Sequence, residues 1–185
     1  MSVRSGTYEL GPEHATLSVR TERAGAAAKA GHDLLIHVKD WKGTVEVGED
    51  GAVAGARLEA DATSFDVIEG TGGAMKLGDE DMANIRQTID DEVLKRERIS
   101  FRSATAVPGE AGRTRLEGEL SIVGRAEPFS FELELAGDGS LAASAVVTQS
   151  GWGIKPYSAL FGALKVKDEV AIAIEGRLPD EAQSR

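Results

Sequence analysis

The sequence predicts a mainly β fold in which an antiparallel sheet curls into an up-and-down barrel and carries one inserted α-helix. Runs of alternating apolar and polar residues recur at short spacing along most of the chain, about eight to ten times, and only one stretch has helical periodicity. A barrel is favoured over the alternative, a two-sheet sandwich, because closure removes the exposed strand edges of a long open meander.

The clearest strands lie within residues 115–135. Apolar residues or Gly occupy every second position of 116–122, and Arg, Glu or Ser occupies every second position of 115–121. The alternation resumes over 129–135, after a break at 124–128, with two Phe and two Leu on one side. This pattern predicts an antiparallel hairpin with one solvent-exposed face. Burial stabilises the fold by roughly 1.5–3 kcal/mol for each large apolar side chain, so we expect the rest of the chain to cover the other face.

Further strands are predicted on both sides of this hairpin, and each has an apolar and a polar face. They cover residues 7–10, 14–21, 32–41, 43–47, 53–62, 99–105, 141–147 and 170–177. The stretch 24–31 contains only small side chains and one Lys, which predicts either a loose loop or a strand that another segment approaches closely.

One helix is predicted over residues 79–94. Met82, Ile85, Ile89 and Val93 follow one another at spacings of three, four and four, which places them on one face. The first turn is acidic and two basic residues follow the last turn, as the helix dipole favours.

The length of the chain fits a single domain over 1–185, with room for a large core or one enclosed cavity. The polar tail, residues 179–185, is expected to fray.

Charge and composition exclude several classes of partner. The 31 acidic and 21 basic residues give a net charge of −10, which repels nucleic acid and anionic membrane surfaces. The chain has no cysteine, and therefore no disulfide or thiolate chemistry. No apolar run approaches the roughly 18–20 residues of a transmembrane segment, and no secretory signal opens the sequence, so we expect a cytoplasmic protein.

No pattern of catalytic or metal-ligating residues emerges. His32 and His37 lie five positions apart on a predicted strand, hence on opposite faces, and cannot both bind one ion. The sequence has no Gly-x-Ser-x-Gly motif, and the Gly-rich run 70–73 lacks the Gly-Lys-Ser/Thr ending of a phosphate loop. Carboxylates fall mainly on the polar faces of strands. We therefore predict a protein that is not an enzyme and holds no metal.

The size of the inward-facing side chains decides what the barrel encloses, since barrels near eight strands are either filled by side chains or hold one small ligand. Two predicted strands place mainly Ala inside, at Ala54, Ala56, Ala60, Ala143 and Ala145. Walls made of small side chains leave room for a ligand, but the helix or the Phe side chains of the hairpin could fill the same volume. The Gly- and Pro-punctuated segment 151–162 predicts either a lid over a cavity mouth or an aromatic plug of ordinary core.

Short motifs follow one another in order along residues 6–177. They are GTYELGPEHATL at 6–17, GHDL at 31–34 with WKGT at 41–44, the stretch from Val93 to Ser103, and LEGELSIVG at 116–124 followed by Pro128. In this order they resemble the YceI-like family, which comprises lipid-binding proteins of bacteria. Two positions depart from the family pattern, since Arg98 stands where Pro is usual and Ala15 stands where Ser is usual.

The resemblance implies an extended eight-stranded antiparallel barrel of lipocalin-like fold. It also implies binding, transport or storage of an isoprenoid lipid, such as a polyprenyl or quinone tail, without chemical turnover and with no other cofactor. Such a tail has almost no hydrogen-bonding groups, so its site needs apolar area more than placed charges. The residues expected to form the wall or lid are Leu34, Ile36, Leu58, Met82, Ile85, Ile89, Phe101, Leu120, Phe131, Trp152 and Phe161.

Two alternatives stay open at this stage. One is an enzyme that acts on a small apolar substrate in the same cavity, which would need polar groups converging inside the barrel. The other is a packed interaction protein without a ligand, which could form a homodimer through its sheet faces.

Overall fold

The computed structural model describes residues 3–180 and 182. Residues 181 and 183–185 of the tail that was expected to fray lie outside the described residues. The strands are β1 (Gly6–Leu10), β2 (Ala15–Thr21), β3 (Arg23–Ala24), β4 (Asp33–Val38), β5 (Trp41–Val47), β6 (Val53–Ala60), β7 (Phe65–Thr71), β8 (Ile99–Pro108), β9 (Arg113–Ile122), β10 (Arg125–Leu135), β11 (Ser140–Thr148), β12 (Ser158–Ala159), β13 (Leu164–Val166) and β14 (Glu169–Arg177). The helical segments are α1 (Asp79–Thr88), a π-helical turn (Ile89–Val93) and 3₁₀ turns at Ala28–Ala30, Ala62–Ser64, Gln149–Trp152 and Leu160–Gly162.

The fold is mainly β, as the alternating runs predict, and its large sheet is antiparallel throughout. The strand order is β1-β5-β6-β8-β9-β10-β11-β14-β2-β4-β7. The strand order requires the sheet to curl. β1 and β2 are consecutive in the chain but distant in this order, since β1 pairs with β5 and β2 lies between β14 and β4. The result is a half-barrel that encloses space on its concave side. The strands β12, β13 and β3 form a second, small sheet in the order β12-β13-β3.

The expected count of eight strands is wrong, because the large sheet has eleven. Three pairs of consecutive strands, β1–β2, β4–β5 and β6–β7, are each separated by a short bend, at residues 11–14, 39–40 and 61–64. β1 and β6 pair with β5, whereas β2 and β7 pair with β4, so each pair continues along the same neighbours on both sides of its bend. The bends interrupt the hydrogen-bonded ladder, and each divides one long run into two strands.

The hairpin within residues 115–135 is formed by β9 and β10. The two strands pair from Arg125↔Ile122 to Glu134↔Arg113, and a tight turn at Val123 and Gly124, with φ of 50° and 68°, joins them. Both turn residues have positive φ, which is the backbone geometry that matches the right-handed twist of paired strands. Leu116 at the centre of β9 is completely buried.

Gly118 on β9 lets the neighbouring strand β8 approach closely. A Cβ atom added to Gly118 would lie 2.0 Å from the carbonyl oxygen of Arg102 and 2.7 Å from Cα of Ser103. The β8–β9 register shifts directly after Ser103, so the glycine faces a bulge in the adjacent strand.

Gly118→Ala is therefore expected to lower the free energy of unfolding by about 2 kcal/mol, because the methyl group overpacks a site made of backbone atoms. Chemical denaturation measures this change. Gly55→Ala on β6 is the matched control, since a Cβ there meets its nearest neighbour at 3.4 Å. A loss at Gly118 no larger than the loss at Gly55 would contradict the close approach.

The expected helix over 79–94 forms as α1 followed by the π-helical turn. The Gly78 N–H donates to Oδ2 of Asp81 at 2.9 Å and caps the first turn, and Arg86 pairs with Asp66 on β7 at 3.0 Å. No residue of α1 is fully buried, so the helix lies on the sheet as a cover and not as a core element. Within the part of the chain that the structure describes, no helix has the length and apolar character needed to cross a bilayer.

Asp90 in the π-helical turn has a carboxylate oxygen, Oδ1, that is buried without a hydrogen-bond partner among the described residues. Burial raises the pKa of Asp90 above its ordinary value of 3.8, although Arg96 opposes the shift. The folded protein thus holds this proton more tightly than the unfolded chain does. Asp90 consequently costs stability once the pH rises above its raised pKa, and the cost disappears below the ordinary value.

Asp90→Asn is expected to raise the free energy of unfolding at pH 7 by up to about 0.5 kcal/mol and to leave it unchanged near pH 3. Asp91→Asn is the adjacent control, because Asp91 pairs with Arg96 at 2.7 Å and its loss should be neutral or slightly destabilising. Urea denaturation at the two pH values tests both variants. Lower stability of Asp90→Asn than of the wild type at pH 7 would contradict a destabilising, buried Asp90 carboxylate.

Candidate functional site

A cavity of about 520 Å³ lies inside the curled sheet. Its walls come from β2 to β4, β6 to β11, β13 and β14, with α1 and the π-helical turn on one side, whereas β1 and β5 contribute nothing. The β1–β5 end of the interior is filled by closely packed side chains, among them Tyr8, Trp41, Val45 and Val53. The cavity has the volume of a typical small-molecule site.

The cavity lining is overwhelmingly apolar. Leu, Ile, Val, Phe and Ala make up most of it, and no Asp or Glu occurs among the described lining residues. The polar lining side chains are Thr21, Arg23, His32, Asn84, Thr88, Ser144, Gln149, Tyr157 and Lys165. Such a surface favours a ligand held by apolar contact.

Eight of the residues expected at the site line the cavity. They are Leu34, Ile36, Leu58, Ile85, Ile89, Phe101, Leu120 and Phe131. Met82 does not line it; the side chain is half-buried and packs against the hydrophobic core from α1. The sheet brings the strand residues together because inward positions recur at every second residue of adjacent strands.

An aromatic cluster forms part of the wall. Phe101, Phe129 and Phe131 have ring centroids 5.1 to 6.3 Å apart and meet edge to face or tilted. Trp152 lies behind Phe129, with centroids 6.0 Å apart, and its Nε1–H donates to the carbonyl oxygen of Leu120 at 2.8 Å. Trp152 therefore supports the wall from outside the cavity.

Phe161, the other aromatic residue expected at a lid or wall, is fully exposed and does not line the cavity. It lies at the turn between β12 and β13. Other residues of the segment 151–162 do border the cavity, namely Ile154 and Tyr157.

Several lining residues were not singled out from the sequence. They include Leu17 and Val19 on β2, Phe129 on β10, and Val170, Ile172 and Ile174 on β14. Each occupies the apolar side of an alternating run, so the same period-two signal could have found them.

The five alanines predicted to face inward do not all line the cavity. Ala60, Ala143 and Ala145 line the cavity, whereas Ala56 is buried elsewhere and Ala54 is exposed. Val47 pairs with Val53 and Glu46 with Gly55, so Ala54 is the extra residue of a bulge and points outward.

Three segments meet at one end of the cavity, and we name them together the rim: residues 23–31, 71–77 and 154–167. Arg23 holds two of the segments together, because its Nη1 donates to the carbonyl oxygens of Gly31 at 3.0 Å and Thr71 at 3.3 Å. β13 pairs with β3, and Ala27 N–H donates to Ala163 at 2.8 Å. The rim residues Ala30, Tyr157 and Lys165 both line the cavity and are exposed, so the cavity reaches the surface here.

The geometry offers little for acid–base or metal chemistry. His32, at the edge of the rim, has its Nε2 2.6 Å from the carbonyl oxygen of Met75, and that contact requires Nε2 to donate. Over residues 3–180 and 182, no cluster of His, Cys, Asp or Glu is arranged to hold a metal ion. Many carboxylates pair with Arg on the outer surface, as Glu59 does with Arg98 at 3.0 Å.

Solved structures with the same fold come from several bacteria. BcnA of Burkholderia cenocepacia is 17% identical and superposes with a TM-score of 0.63 over 87% of this chain and 94% of that chain. A YCEI protein of Campylobacter jejuni is 12% identical, with a TM-score of 0.59 over 79% and 85% of the two chains. A polyisoprenoid binding domain from Saccharophagus degradans is 7% identical, with a TM-score of 0.55 over 95% and 100%.

These similarities concern the fold. A large curled antiparallel sheet with one α-helix is consistent with the lipocalin-like architecture that the motifs imply. No curated protein matches the sequence at a significant level. The model of the YceI-like domain, however, matches residues 8–178, which is most of the chain. The chain therefore belongs to the YceI-like family.

Proposed function

We propose that this protein binds an isoprenoid lipid, such as a polyprenyl or quinone tail, in its apolar cavity and carries or stores it without chemical turnover. The observation that supports the proposal most is the cavity of about 520 Å³, whose described lining residues are overwhelmingly apolar and include no carboxylate. A solved neighbour is described as a polyisoprenoid binding domain, which is consistent with the same class of ligand.

The energetics of burial fit such a ligand. An isoprene unit has five carbons, so its burial contributes up to about 4 kcal/mol at roughly 0.8 kcal/mol per carbon, before the cost of association. The proposed contact residues are the eight lining residues above together with Phe129, whose ring completes the aromatic wall. The predominance of Leu, Ile, Val, Phe and Ala in this lining favours a ligand held by apolar contact.

Mass spectrometry of an organic extract tests the proposal. The protein is purified without detergent, the extract is compared with that of an unrelated protein of similar size, and the purified protein is incubated with farnesol and geranylgeraniol. We expect an isoprenoid species enriched in the extract, or saturable binding of the added alcohols. An extract that matches the control, together with no binding of either alcohol, would refute the proposal.

A further inference from the structure

Exposed apolar side chains gather at the rim. The large apolar residues that the structure leaves most open to solvent include Met75 at 79%, Leu160 at 59% and Phe161 at 112% relative exposure, and Tyr157 is 44% exposed. All four belong to the rim, although its three segments contain only a small part of the chain. Exposed apolar side chains concentrated in one region are typical of a surface that meets a partner.

The apex of this patch is a turn of unusual conformation. Leu160, Phe161 and Gly162 follow one another with φ of 51°, 55° and 84°. The left-handed region suits glycine but disfavours large side chains, yet here it presents two of them at the tip of a connection between β12 and β13. The turn thereby directs the Phe161 ring away from the rest of the fold.

Basic residues are concentrated at the same place, although Glu22, Asp33 and the acidic first turn of α1 border the rim. The three rim segments contain six basic residues and no Asp or Glu, although the whole chain has a net charge of −10. The six are Arg23, Lys29, Lys76, Lys155, Lys165 and Lys167. Among the ion pairs of the described residues, only Lys167 of these six has a carboxylate partner, Glu22.

We propose that the rim docks on an anionic lipid bilayer, with Leu160 and Phe161 inserted at the interface and the rim lysines on the lipid headgroups. An apolar apex flanked by basic side chains is the combination that binds such surfaces. The acidic remainder of the molecule is repelled by the same surface, which orients the rim toward it. Because Tyr157 and Lys165 also line the cavity, docking places the cavity opening against the bilayer.

Co-sedimentation of the full chain with vesicles tests this proposal. We expect binding to vesicles of mixed phosphatidylglycerol and phosphatidylcholine, and at least tenfold weaker binding to phosphatidylcholine alone or at high salt. The variant L160S/F161S should bind the anionic vesicles at least tenfold more weakly. The control V107S/V146S removes two exposed valines outside the rim, of 53% and 59% exposure, and should bind as the wild type does.

A second pair of variants tests the charges. K76E/K155E changes two rim lysines, and K39E/K42E makes the same change of charge at exposed lysines outside the rim. We expect the rim variant alone to lose binding. Equal effects of the two variants, no binding of the wild type to either vesicle, or unchanged binding of L160S/F161S would each overturn the proposal. Docking needs no bound ligand, so this result and that of the lipid extract can fail separately.

Discussion

Replacing Ala143 and Ala145 by phenylalanine is expected to abolish lipid binding while the protein stays folded. Both alanines lie on β11 and line the cavity, so two phenyl rings would occupy the volume that we assign to the ligand. The affinity should fall at least 100-fold, which corresponds to about 2.7 kcal/mol. Titration with geranylgeraniol measures the effect, and circular dichroism confirms that the sheet forms.

The matched control is A142F/V146F on the same strand. Ala142 and Val146 are exposed and do not line the cavity, so two added rings there should leave the affinity within a factor of two or three. If the inward variant bound lipid as tightly as the outward one, the cavity would not be the binding site.

Leu116→Ala is expected to have the largest effect on stability. Leu116 is completely buried in β9, and truncation of such a leucine leaves a void that the packed neighbours cannot fill. The free energy of unfolding should fall by about 3–4 kcal/mol. Guanidinium denaturation followed by tryptophan fluorescence measures it.

Leu120→Ala provides the comparison on the same strand. Leu120 borders the cavity, so fewer atoms contact its inner side and less packing is lost on truncation. We expect a cost of about half that at Leu116, near 2 kcal/mol. Equal costs at the two positions would mean that side chains surround Leu120 as closely as Leu116, contrary to an open cavity.

Local periodicity predicted those parts of the fold in which one face is buried. Strands β9 and β10 and the helix that begins at Asp79 form where the periods of two and of three to four residues placed them. Inward positions such as Leu34 and Phe131 line the cavity because alternation determines which side of a sheet a residue occupies.

Features that depend on distant segments could not be predicted in this way. The bends that raise the count to eleven strands interrupt otherwise continuous runs, and the pairing of β3 with β13 joins segments about 140 positions apart in sequence. Ala54 points outward because a bulge shifts its strand by one residue. Trp152 supports the wall and Phe161 is exposed because the fold of their connection, and not their residue type, determines where each lies.

The net charge of the chain does not predict the charge of each part of its surface. A value of −10 predicts repulsion from anionic surfaces, but it sums over residues that the fold distributes unevenly. The rim segments are separated in the sequence by acidic stretches, and only the tertiary structure brings Lys29, Lys76 and Lys155 to one end of the molecule. The sign of the local field can therefore oppose that of the whole chain.

Calorimetric titration with geraniol, farnesol and geranylgeraniol tests the binding of an isoprenoid tail most directly, because these alcohols share one headgroup and differ only in the number of isoprene units. We predict binding of one molecule per chain, with affinity rising at least tenfold, or about 1.4 kcal/mol, for each added unit until the cavity is full. Affinity that does not change with chain length would contradict a site built for an apolar tail.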